Sequence, residues 1–70
     1  MRRGKVKWFN ENEGYGFIRQ DDGKNIFVHY SNILGRGFRT LSEGEGVEYD
    51  LEERYNGLQA VRVRKLGFLK

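Results

Sequence analysis

Apolar positions recur along this chain at a spacing of two, in short runs broken by glycine and by Asp-Gly or Asn-Gly pairs. That is the period of a strand with one buried face, and no stretch repeats at helical spacing. "GKVKWFN" (4–10), rich in strand formers, predicts a first strand. "YGFIRQ" (15–20) and "NIFVH" (25–29) predict a second and a third, joined by the tight turn "DDGK", in which Gly23 is free to take positive φ. "GVEYDLEE" (46–53) alternates cleanly, with Val47, Tyr49 and Leu51 on one side and Glu48, Asp50 and Glu52 on the other. The Asn-Gly pair that follows is a hairpin signal. It leads into "QAVRVRK" (59–65), with Val61 and Val63 inward and Arg62 and Arg64 outward.

Between Tyr30 and Glu45 the alternation lapses. "SNIL" can make one helical turn capped by Ser31, and "GRGFRT" reads as a mobile, glycine-flanked loop. A connection this long in a small domain is usually functional or disordered. Five short strands and one long connection predict an all-β fold, closed or nearly closed into a barrel, because closure removes exposed strand edges. The expected domain spans residues 1–66, and "GFLK" (67–70) is left as a short tail that fits no strand pattern.

The second strand raises a problem. Tyr15, Phe17 and Arg19 share one face and Ile18 lies on the other, so both faces carry large apolar groups. The third strand repeats this, with Phe27 and His29 on one face and Ile26 and Val28 on the other. Ile18, Ile26 and Val28, with Val6, Val47, Tyr49, Leu51, Val61 and Val63, supply a core. Seventy residues with 37% hydrophobic content cannot furnish a second layer over the aromatic side. Tyr15, Phe17, Phe27 and His29 are therefore predicted to form an exposed cluster, and contiguous exposed apolar patches mark binding sites.

Charge adds to that picture. The net charge is +3, but residues 1–40 hold eight Lys/Arg against four Asp/Glu, while residues 41–70 hold five against six. The basic excess lies in the aromatic-rich half, where Trp8, Tyr30 and Phe38 join the cluster and Lys5, Lys7, Arg36 and Arg39 lie nearby. Rings interleaved with cations suit an unpaired nucleic-acid strand: bases stack on the rings and Lys/Arg follow the phosphates. There are no cysteines to form a disulfide or a thiolate metal site. No apolar run approaches the roughly 20 residues of a membrane span, and no signal peptide is evident. A cytoplasmic protein without a membrane partner is expected.

In their order and spacing, "KVKWFN", "GYGFI" and "IFVHYS" resemble the cold-shock domain of bacterial cold-shock proteins. "GFRTL", "EGEGVEYD" and "NGLQA" continue the resemblance from Gly4 to about Val63. It implies a five-stranded antiparallel OB-fold-type barrel that binds single-stranded RNA and DNA with low sequence selectivity and acts as an RNA chaperone. Carried over by position, the stacking rings fall on Trp8, Tyr15, Phe17, Phe27, His29, Tyr30 and Phe38, and the polar contacts on Lys7, Asn10, Asn25 and Arg39. The chain departs from the family's pattern at Glu13, where a lysine is usual, at Leu58, where a proline is usual, and at Asn25, where an aspartate is common.

Several residues invite other readings. Trp8 shares a strand face with Val6 unless a bulge intervenes, so spacing alone does not turn it outward. Phe9 is expected to pack partly into the barrel rim. His29 is the only histidine, too few ligands for a metal site, and Ser31 has no evident orienting partner for a catalytic triad. Glu43, Glu45 and Glu48 are expected on a solvated face. No enzyme activity, cofactor, metal or small-molecule substrate is expected, and the chain is expected to be a monomer. Two rivals remain: an RNA-recognition-motif domain, which needs two helices, and an SH3-like barrel whose aromatic patch holds proline-rich peptides.

Overall fold

A computed structural model describes residues 1–35 and 40–67. Five strands account for most of them: β1 (Arg2–Asn10), β2 (Tyr15–Gln20), β3 (Asn25–His29), β4 (Gly46–Arg54) and β5 (Gly57–Gly67), with one 3₁₀ turn at Tyr30–Asn32. They close into a barrel in the order β1-β2-β3-β5-β4. All pairings are antiparallel except β3 with β5, which meet in parallel through Phe27–Gln59 and Val28–Ala60. The expected all-β barrel is the observed one. No α-helix occurs among the described residues, which removes the RNA-recognition-motif reading. None of their helices is long and apolar enough to cross a membrane.

β2 and β3 have the predicted bounds, and Gly23 takes φ +90° in the turn between them. β5 begins two residues early and runs to Gly67, which pairs with Gly46. The β4–β5 hairpin turns at Tyr55–Asn56, with positive φ supplied by Gly57. Ser31 does not cap the short helical turn. His29 does, its ring accepting the Ser31 backbone N–H, because the cap position lies two residues earlier than expected.

The core contains Val6, Ile18, Ile26, Val28, Val47, Tyr49 and Val63, as alternation requires, with Leu51 and Phe9 half-buried against it. Phe9 thus packs inward as expected. Ile33, Leu41 and Ala60 also join the core cluster, whereas Val61 is buried as expected but lies outside that cluster. The reason is a β-bulge. Glu48 pairs with Arg64 and Asp50 with Val61, so Arg62 and Val63 stand against Tyr49 alone. Arg62 occupies the irregular position with φ +51°, left-handed backbone that disfavours a side chain, and its Nε donates to Asp50 Oδ2 at 2.7 Å. One extra residue shifts the strand's phase: Ala60 and Val63 face the core, while Val61, though buried, sits opposite Asp50.

Glu45 also departs from expectation. It is buried rather than solvated, because its carboxylate accepts the Ser42 N–H at 3.0 Å and closes the turn that leads into β4. Glu48 is half-buried and pairs with Arg3.

Tyr49 is wholly buried, and its hydroxyl donates to Gln20 Oε1 at 3.0 Å. Burial pushes its phenol up to about 12, with Arg2 opposing the rise. An unfolded tyrosine ionises near pH 10. Stability from this group is therefore complete below about pH 10 and is lost as pH rises towards 12, by up to about 2–3 kcal/mol. Denaturant unfolding between pH 9 and 12 should show this loss in the wild type and a shallower one in Tyr49→Phe. Equal slopes in the two proteins would show that another group carries the alkaline transition.

Candidate nucleic-acid interface

The sheet β1-β2-β3 positions the aromatic residues. Its pairing puts Trp8 beside Phe17, Phe17 beside Phe27, and Phe27 beside Gln59, one row running across four strands. A second row is Asn10, Tyr15 and His29. Directly paired residues point to the same side of a sheet, so both rows lie on the outer face. Ile18, Ile26 and Val28 line the inner face.

The rings form a contiguous cluster. Centroids are 5.6 Å apart for Trp8–Tyr15, 5.4 Å for Trp8–Phe17, 5.7 Å for Tyr15–Phe27 and 5.8 Å for Phe17–Phe27. Tyr15 and Phe27 are stacked at 26°, and Phe17 meets Phe27 edge-on at 77°. His29 and Tyr30 form a separate pair at 4.6 Å. Trp8 is 38% and Tyr30 47% exposed, while Tyr15, Phe17, Phe27 and His29 are half-buried. No described element covers the cluster.

A bulge in β1 decides the position of Trp8. Val6 pairs with Ile18 and Trp8 with Phe17, so Lys7 is the unmatched residue. Without that insertion Trp8 would follow Val6 into the core. With it, Val6 points in, Trp8 points out and Phe9 turns inward against the core. Lys7 is exposed at the bulge, and Lys5, Arg19 and Lys24 are exposed around the sheet.

Two glycines set the surface shape. Gly16 pairs with Phe9, and a Cβ there would lie 2.7 Å from Phe9 Cα and 2.8 Å from Phe9 Cδ1, with the Trp8 carbonyl oxygen closer still. Gly14, at φ +78°, leaves room for Tyr30: a Cβ on it would meet Tyr30 Cδ2 at 2.6 Å. The Tyr30 N–H donates to the Gly14 carbonyl at 2.9 Å, which ties that ring's backbone to the start of β2.

The polar residues are placed differently from one another. The Asn10 side-chain oxygen accepts the N–H groups of Asn12 and Glu13, both at 3.0 Å, so it organises the β1–β2 turn and only its amide NH₂ remains to face a ligand. Asn25 is exposed at the start of β3, across from Arg19. Phe38 and Arg39 lie outside the described residues. Gln59 was not singled out from the sequence. It extends the Trp8–Phe17–Phe27 row across the parallel seam, a pairing between distant segments that alternation within one strand cannot reveal. Leu58, next to it, is exposed.

A cavity of about 270 Å³ lies elsewhere, lined by Arg2, Arg3, Gln20, Asp21 and Asp22, and shares no residue with the aromatic face. Among the described residues, no group of three or more His, Asp and Glu is arranged to hold a metal ion.

Residues 2–66 match the family model described as the "cold-shock" DNA-binding domain. The chain is 50% identical over 66 residues to cold shock protein CspB of Bacillus caldolyticus, covering 94% of this chain and all of that protein. It is 51% identical over 65 residues to cold shock-like protein CspC of Buchnera aphidicola, covering 91% of this chain and 94% of the other. Among solved structures, Drosophila Unr CSD456 superposes with a TM-score of 0.76 at 26% identity, over 93% of this chain and 26% of that one. This chain thus spans about a quarter of the Unr chain. A family model that spans nearly the whole chain, with relatives about half identical to it, shows that the chain belongs to the cold-shock domain family of nucleic-acid-binding proteins.

Proposed function

We propose that this protein binds single-stranded RNA and DNA with low sequence selectivity, stacking unpaired bases on the β1-β2-β3 face, and that it acts as an RNA chaperone by holding strands open. The observation that carries this reading is the uncovered cluster of Trp8, Tyr15, Phe17 and Phe27 with lysines around its rim. Every base offers a π-face, so stacking tolerates most sequences, and a duplex hides those faces. The binding surface comprises Lys7, Trp8, Asn10, Tyr15, Phe17, Asn25, Phe27, His29 and Tyr30, extended by Phe38 and Arg39 of the long connection. Titration of Trp8 fluorescence tests it: short unpaired oligonucleotides should quench at concentrations where the matching duplex does not. Equal response to both forms would end the single-strand reading.

Glu13 gives a second test. It is exposed in the β1–β2 turn beside Tyr15, and its backbone is held by Asn10. A carboxylate there repels passing phosphates. For single strands, log affinity falls with log salt at a slope of about −0.7 per phosphate neutralised. Glu13→Lys should tighten binding at low salt and steepen the slope by up to about 0.7. It should leave base preference unchanged, because phosphate contacts position rather than specify. An unchanged slope would place the strand's backbone elsewhere.

A further inference from the structure

His29 is anchored differently from the other rings of the face. Its Nδ1 accepts the backbone N–H of Ser31 at 3.2 Å and lies 2.8 Å from the Ser31 hydroxyl oxygen. The backbone N–H can only donate, so its long 3.2 Å contact favours a lone pair on Nδ1. The shorter 2.8 Å contact with a donating hydroxyl is what holds a neutral imidazole in the form protonated on Nε2. The Ser31 hydroxyl, free to rotate, donates to the same nitrogen and reinforces that state. Tyr30 packs against the ring at 4.6 Å and limits its rotation. No described residue hydrogen-bonds Nε2.

We propose that Ser31 is a positioning residue for the nucleic-acid face: it holds His29 in the Nε2–H form, so that the ring offers a bound strand a hydrogen-bond donor fixed in direction. His29 pairs with Tyr15 across β2 and β3, so this donor lies beside a stacking ring. Its partner is an acceptor on the strand, either a base carbonyl or a backbone oxygen. The inference rests on single-strand binding by this face.

The test uses the whole protein in three forms. In the wild type, nitrogen NMR of the His29 ring at neutral pH should show the Nε2–H tautomer. Ser31→Ala should shift the population towards Nδ1–H and weaken oligonucleotide binding about three- to fivefold, the order of one modest hydrogen bond. Ser31→Thr, which keeps the hydroxyl, should restore both. In a His29→Phe background, Ser31→Ala should have no further effect on binding. A loss seen with oligothymidine but not oligodeoxyadenosine assigns the acceptor to a base carbonyl, and an equal loss assigns it to the sugar–phosphate chain. If the wild type binds but Ser31→Ala leaves tautomer and affinity unchanged, or weakens binding equally without His29, the positioning role is overturned. Failure of the wild type to bind would instead remove the functional reading beneath it.

Discussion

Phe27→Ala will weaken the binding of a short single strand by about 1–3 kcal/mol and leave the barrel folded. Phe27 closes the four-ring cluster opposite Trp8, stacked on Tyr15 at 5.7 Å and edge-on to Phe17 at 5.8 Å. Truncating it removes one stacking platform and frees Tyr15 to reorient, so the measured loss includes that reorganisation. The fold survives because β3 is held from its other face, where Ile26 and Val28 are buried in the core. Phe17→Ala should behave alike, with Ile18 anchoring β2. Fluorescence titration gives the affinity and denaturant unfolding gives the stability. Large unfolding with unchanged affinity per folded molecule would show that these rings act as core, and would defeat the assignment of the face.

Gly16→Ala should do the reverse, damaging the fold first. The added methyl would sit 2.7 Å from Phe9 Cα and against the Trp8 carbonyl, both backbone atoms of the neighbouring strand. Real Cβ atoms do not approach so closely, and no side-chain rotation relieves the clash. β1 and β2 must separate around the Phe9–Gly16 pair. Overpacking of this kind typically costs about 1–3 kcal/mol, a large part of the stability of so small a domain. The same shift would displace Trp8 from Phe17, so affinity should fall as well, by more than the unfolded fraction explains. Unfolding midpoints matching the wild type would show that the strands part more easily than this geometry allows.

Much of the molecule was legible in residue order. β2 and β3 came out with their true bounds, and the outward phase of Tyr15, Phe17 and Phe27 followed from alternation alone. The reason is local: a hairpin with a two-sided apolar pattern and a glycine turn has one sensible register, and nothing irregular interrupts it. The shortage of apolar residues then left no material to cover the rings. Lys/Arg placement and the coupled motifs added the chemistry.

What tertiary structure alone decided lies at irregularities and long-range pairings. Trp8 faces outward because Lys7 bulges from β1, and Ala60 joins the core cluster while the buried Val61 stays outside it because Arg62 bulges from β5. A bulge costs one residue of phase, and nothing in a period-two pattern marks where it falls. Ile33 and Leu41 are core residues supplied by the connection between β3 and β4, where no periodicity exists to read. Gln59 joins the aromatic row only because β3 and β5 pair in parallel across 32 residues of chain. The alternation of side chains is a property of each strand by itself. Where strands slip, bulge or meet partners distant in sequence, the packing of the whole barrel chooses which side chain lies at the surface.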